Sequence, residues 1–156
     1  MIAVYILAMT VANLLVWWLG PWFSPINSFF LIGLDLTLRD VMHERISRWG
    51  MLGVIAAGGV ITFAVNPSAS NIAVASATAF AVSAIADWAT FSALHRYKWV
   101  VRSNGSNVVG AALDSLIFPT LAFGSFMPVI VAYQFAAKVC GGAIWSAIFI
   151  RRLQVK

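Results

Sequence analysis

Charge is what this chain has least of. Of its 156 residues only 10% are Asp, Glu, Lys or Arg, against roughly 25% in an ordinary soluble domain. With 62% hydrophobic residues and a mean hydropathy of +0.91, a water-soluble enzyme is nearly ruled out. Cysteine is almost missing as well: Cys140 stands alone, which excludes an internal disulfide. Only two distant histidines, His43 and His95, accompany it, so the usual zinc ligand sets cannot be assembled and no metal or other cofactor is expected. There is no G-x-x-x-x-G-K-[ST] loop for ATP, and no nucleophile paired with a base, so a membrane enzyme is the least favoured class. The net charge of +5 and a pI near 10.0 do not imply nucleic acid, which needs a basic face on a soluble body.

What the chain does have is long apolar runs. Six stand out, at 1–19, 24–37, 51–65, 71–94, 107–124 and 127–150. The first, fourth and last exceed the length needed to cross a bilayer, while the second and third fall short of the roughly 17-residue lower limit. Gly20-Pro21, Asn66-Pro67-Ser68 and Ser103-Asn104-Gly105 read as turns between them. The expectation is an all-α integral membrane protein, one domain of six transmembrane helices. Met1–Leu19 lacks a basic leader and reads as a retained first span.

The basic residues set the orientation. All except Lys138 fall in three places: Arg39, Arg45 and Arg48; Arg96, Lys98 and Arg102; Arg151, Arg152 and Lys156. The alternate connections carry no charge, so the positive-inside rule puts both termini in the cytoplasm, with the chain multi-pass in the cytoplasmic (inner) membrane. Residues 39–48, which include Asp40, His43 and Glu44, read as a polar helical extension or an interfacial segment. Trp17, Trp18 and Trp22 at one boundary and Trp49 and Trp99 at the other read as interfacial anchors, and Cys140 reads as core packing.

Each polar group inside a span needs a reason. The set is Asp35, Asp87, Asp114 and Lys138, with Asn13 and Gln134 as amides. At about 1.5 Å per residue, Asp114 lies roughly 10 Å into a fifth span that starts near Asn107, and Lys138 roughly 18 Å from the cytoplasmic end of the sixth. A lysine stem spans that difference, so Asp114 and Lys138 form the natural intramembrane pair. Asp35 and Arg39, and likewise Gln134 and Lys138, share helical faces four residues apart. The set converges on the inner half of the bundle, where it serves either as interhelical glue or as a polar-solute or proton site.

Four ordered blocks then resemble a known family. Gly33-Leu-Asp35-Leu-Thr37-Leu-Arg39 is similar to the D-L-T-x-R signature of the queuosine precursor transporter family, formerly described as vitamin uptake transporters. Ala75 to Phe80, Asp87 and Phe91 to Arg96 resemble its fourth span. Gly110 through Asp114-Ser115 to Phe118 resembles its fifth, with Ala111 where members often carry Asn, and Gln134 with Lys138 resembles its sixth. The resemblance runs from about Asn13 to Ile150. It implies import of a 7-deazaguanine, foremost 7-cyano-7-deazaguanine (preQ0), with Asp114 or Asp87 accepting the ring N–H and exocyclic amine. Lys138, Gln134 or Asn13 would donate to the lactam oxygen, and Phe118, Phe80 or Phe91 would cover the ring. Asp35 and Arg39 belong to the same candidate set. Partners implied are the small-molecule substrate and the lipid bilayer, with proton or sodium coupling and a homodimer both left open. The rival readings are a capture subunit docking on an energy-coupling ATPase through Ala8 and Ala12, and a non-transporting bundle or small-ion channel.

Overall fold

The computed structural model describes residues 1–43 and 45–153. Among them there is no strand: helix α1 (Ile2–Leu19) is followed by α2 (Ser24–Asn27), α3 (Gly33–His43), α4 (Arg48–Val65), α5 (Ser70–Ala93), α6 (Trp99–Phe123) and α7 (Pro128–Leu153). In lipid every backbone N–H and C=O must be satisfied within the segment, and only a helix does that locally. Short connections such as 94–98 then fold consecutive helices back on one another. Four stretches are long and apolar enough to cross a membrane by themselves: Ile2–Leu19, Pro67–Ala93, Trp99–Phe123 and Pro128–Phe149. Trp49–Val65 is a shorter apolar helix, and the remaining segment, 21–43, completes six helical spans.

That second span is helical throughout but changes pitch. Pro21–Phe23 forms a 3₁₀ turn, α2 follows, Ser28–Ile32 winds as a wider π-type turn, and α3 resumes the α pitch. Wide turns of this kind concentrate at functional sites. The helix ends elsewhere have ordinary causes. Ser47 caps α4 by accepting the Gly50 N–H at 3.1 Å. Gly124, at φ 67°, closes α6 in the left-handed conformation.

The pattern of exposure is inverted relative to a soluble protein. Leu7, Val60, Phe63, Val74 and Tyr133 face outward, while Arg39 and Lys138 are among the largest fully buried side chains. One apolar cluster gathers Tyr5, Met9, Leu36, Met42, Met51 and Ile55; another gathers Val16, Ile72, Ala75, Ala79 and Phe118. Small residues let helices touch at the backbone. A Cβ on Gly33 would lie 2.7 Å from the Gly141 carbonyl carbon, and one on Gly141 would collide with the Phe29 carbonyl oxygen, so α3 and α7 cross in direct backbone contact.

Several expectations change. Ser103-Asn104-Gly105 is no turn but lies inside α6, which starts at Trp99. Ser103, Ser106 and Asn107, spaced for one helical face, are buried and hydrogen-bonded inside the bundle. Asp114 is therefore about 22 Å from the start of its helix, twice the depth expected. Arg39 and Asp40, expected in an interfacial extension, are enclosed by neighbouring helices instead. Trp99 is 4% exposed and packs on Val41 and Phe91, so it is no interfacial anchor, whereas Trp18, Trp22 and Trp49 are well exposed. Cys140 is exposed on α7, not packed in the core. Arg45, Arg96 and Lys98 remain exposed at one end of the bundle, the basic end. Glu44, Lys156 and the side chains of His43, Arg48, Arg151 and Arg152 lie outside the described residues.

Candidate functional site

Lys138, on α7, is 1% exposed, and a buried ammonium survives only if all three of its protons are taken. They are. Its Nζ lies 2.7 Å from Asp114 Oδ2 and donates to Gln134 Oε1 at 2.8 Å and to Ser115 Oγ at 3.1 Å. Gln134 sits one turn before Lys138 and in turn donates to Ser24 Oγ on the second span. Three spans are thus tied at one point by one cation.

The network borders a small enclosed cavity. Asn13, Ser24, Asn27, Ser28, Ser76, Phe80, Asp114, Phe118 and Lys138 all face it, and its free space is only about 10 Å³, room for a single water. Two of its acceptors, Asp114 Oδ1 and Asn27 Oδ1, are buried without a hydrogen-bond partner among the described residues. Orphan acceptors of this kind each cost about 1–3 kcal/mol, a cost that a donor entering the cavity would relieve. The donor sides of the wall are committed: Asn27 Nδ2 bonds the Ala12 carbonyl at 3.2 Å and Asn13 Nδ2 bonds Thr62 Oγ1 at 3.2 Å. Phe118 and Phe80 supply the apolar faces.

The remaining predicted residues lie in a second buried cluster toward the basic end. Arg39 Nη1 donates to Ser83 Oγ at 2.9 Å, and its Nε is 3.7 Å from Asp87 Oδ2, an ion pair longer than a hydrogen bond. Asp40 accepts from Ser103 at 2.5 Å and from Ser106 at 3.5 Å. Ser146 joins Ser103 to Thr37, whose hydroxyl also reaches the Gly142 carbonyl. Neither oxygen of Asp35 has a hydrogen-bond partner among the described residues; Tyr5, Arg39 and Asp114 lie within its electrostatic range. The six ionisable and amide positions singled out in the spans therefore divide. Asn13, Asp114 and Lys138 meet at the cavity, Gln134 joins them through its bonds to Lys138 and Ser24, Asp87 does not, and Asp35 lies within electrostatic range of both Arg39 and Asp114. Phe91 is absent from the cavity too, since it stacks under the Arg102 guanidinium at 3.9 Å.

A model of the family described as putative vitamin uptake transporter matches residues 1–151. The chain belongs to that family. Searches of curated proteins and of solved structures gave no match. It is thus a multi-pass membrane transporter by family. Among its described residues no group of three or more His, Cys, Asp or Glu side chains gathers to hold a metal ion.

Sequence reasoning missed Ser24, Asn27 and Ser28 at the cavity, Ser115 as a partner of Lys138, and Tyr5, Asp40, Ser83, Ser103, Ser106 and Ser146 in the second cluster. A signal existed. Ser24, Asn27 and Ser28 repeat at three- and four-residue spacing, as Ser103, Ser106 and Asn107 do, which puts each trio on one helical face.

Proposed function

We propose that this transporter imports a 7-deazaguanine, foremost 7-cyano-7-deazaguanine, across the cytoplasmic membrane, with both termini on the cytoplasmic side. The observation that carries the reading is the pair of orphan acceptors, Asp114 Oδ1 and Asn27 Oδ1, facing the same cavity as Lys138. A guanine-type edge offers a ring N–H beside an exocyclic amine, and two acceptors suit those two donors. Its lactam oxygen needs a donor, which the Lys138 ammonium supplies. Phe118 and Phe80 supply apolar faces suited to a flat ring among the polar groups of the wall.

The cavity as it stands is closed around the Asp114–Lys138 pair, so loading requires an exchange. The ligand takes the carboxylate, and Lys138 keeps Gln134 and Ser115 while turning its third proton to the ligand's oxygen. No stage then leaves a buried charge without a partner. The second span, whose residues Ser24, Asn27 and Ser28 form one wall, changes pitch beside the site, and wide turns of this kind are frequent at functional sites.

Uptake of labelled 7-cyano-7-deazaguanine into proteoliposomes containing only this chain tests the reading, with a proton or a sodium gradient imposed in separate arms. Saturable uptake that Asp114→Asn suppresses is expected. Absence of both uptake and binding refutes the substrate, and tight binding without uptake transfers the chain to the capture-subunit class. One observation already weighs against that class: Ala8 and Ala12, the small-residue face proposed for docking, are buried in the chain's own bundle.

A further inference from the structure

Among the described residues four buried carboxyl groups share the bundle with two buried cations: Asp35, Asp40, Asp87 and Asp114 against Arg39 and Lys138. Both cations are engaged elsewhere than at Asp35. Lys138 holds Asp114 at 2.7 Å, and Arg39 turns to Ser83 and Asp87. Asp40 takes the hydroxyls of Ser103 and Ser106. That leaves Asp35, at 0% exposure, with neither oxygen hydrogen-bonded among the described residues. Beside it the Tyr5 hydroxyl is likewise buried without a partner. The inward-facing titratable groups on the helices packed against α3 are Tyr5 on α1, Asp87 on α5, Asp114 on α6 and Lys138 on α7, with Arg39 and Asp40 on α3 itself; α4 carries none among its described side chains. Arg39 and Asp114, one charge of each sign, lie within electrostatic range of Asp35, so their fields offset there.

We infer that Asp35 carries the proton coupled to import, as a neutral carboxyl while the ligand is bound and as a proton donor to the cytoplasmic side afterwards. The inference rests on the transport reading proposed above and names its coupling ion. A carboxylate without a donor or a counter-ion is among the costliest groups to hold inside a bilayer, and a bound proton removes that charge. The proton needs no vacant volume, so complete enclosure of Asp35 suits a loaded, closed carrier. On discharge the O–H bond of the carboxyl breaks, the proton passes to water admitted from the cytoplasm, and the electron pair stays on the carboxylate. Coupling runs through Asp114. While Lys138 pairs with it, the two charges cancel. Once the ligand's neutral donors take the Asp114 carboxylate and the ammonium turns to the ligand's oxygen, that cancellation weakens, and a second negative charge at Asp35 would repel the first. Ligand and proton therefore favour each other's binding, by the same factor in both directions.

Infrared spectra of the full chain at neutral pH, in a detergent without ester groups, test the proton. The carbonyl stretch of a protonated carboxyl is expected, and Asp35→Asn, a neutral group of the same shape, should remove it. If that variant fails to fold, Tyr5→Phe serves, since loss of the neighbouring hydroxyl should shift the band. In proteoliposomes with the membrane potential clamped at zero, an inward proton gradient of about one pH unit should concentrate labelled 7-cyano-7-deazaguanine up to about tenfold, for one proton per ligand. Asp35→Asn should still bind and exchange the ligand but reach only equal concentrations on the two sides. A missing band, a band that neither variant alters, accumulation that survives Asp35→Asn, or accumulation driven by sodium alone overturns the inference and spares the substrate. Ligand that neither binds nor exchanges overturns the substrate and the coupling with it.

Discussion

Breaking the Asp114–Lys138 pair offers the sharpest test of the network. With Lys138→Met, Asp114, 2% exposed, loses the ammonium at 2.7 Å; its other oxygen is already without a partner among the described residues. Removing one member of a buried pair costs about 3–5 kcal/mol, or roughly two to nearly four orders of magnitude in the folding equilibrium. Asp114→Asn should fall near the lower end, because the amide carbonyl still accepts from Lys138 and Gln134 and Ser115 still hold the other two protons. The double variant carries neither charge and should lose only about 1–2 kcal/mol of ordinary hydrogen bonding. The cycle should therefore show a coupling of about 3 kcal/mol or more, measured as the helical fraction against SDS in mixed micelles. Single variants that each cost under about 1 kcal/mol and add in the double would refute the reasoning. Labelled-ligand binding in the same series separates the roles: a double variant that recovers stability but not binding assigns the pair to substrate, and one that recovers both leaves it as glue.

Gly141→Ala should destabilise by about 1–3 kcal/mol through overpacking, because its Cβ would meet the Phe29 carbonyl; Gly59→Ala should cost less, since its Cβ would rest 3.4 Å from Ala77. Thermal denaturation in detergent ranks the two. Ser103→Ala should cost about 1.5–3 kcal/mol by taking a donor from the Asp40 carboxylate, and Ser106→Ala less, given its longer 3.5 Å contact. Equal effects in the same denaturation experiment would contradict that ordering. Asn27→Ala removes both the bond to the Ala12 carbonyl and an orphan acceptor, so proteoliposome uptake should show KM raised about tenfold. An unchanged KM would remove Asn27 from the ligand's contacts.

The pairing of Asp114 with Lys138 was legible because a charge in an apolar run has few options, and only one ammonium lies deep enough to answer it. Its depth was not, because Ser103, Asn104 and Gly105 have the composition of a turn, and only the surrounding helices show that the serines point inward at Asp40 and Ser146. Arg39 illustrates a different limit. Counted by sequence it is one more basic residue beside the others at the basic end; in three dimensions Ser83 and Asp87 draw it into the bundle. Charge counts report which end of a span is cytoplasmic, but they do not separate a solvated arginine from one turned inward by a partner on another helix. Asn27 and Ser24 escaped notice for a simpler reason: neutral polar residues are tolerated in membrane helices, and nothing in a single sequence says which ones line a space.

The crossing of Gly33 with Gly141, set against the wide turn at Ser28–Ile32, divides the second span into unequal partners. Below the crossing α3 is pinned, since Thr37 bonds the Gly142 carbonyl at 3.2 Å and no side chain separates the two backbones. Above it, Ser24 and Asn27 lie on α2, before the wide turn, and are held by Gln134 and by the Ala12 carbonyl. The crossing thus holds the middle of the span by backbone rather than by side chain. One span thereby contributes to two polar clusters, one on each side of a backbone contact with α7.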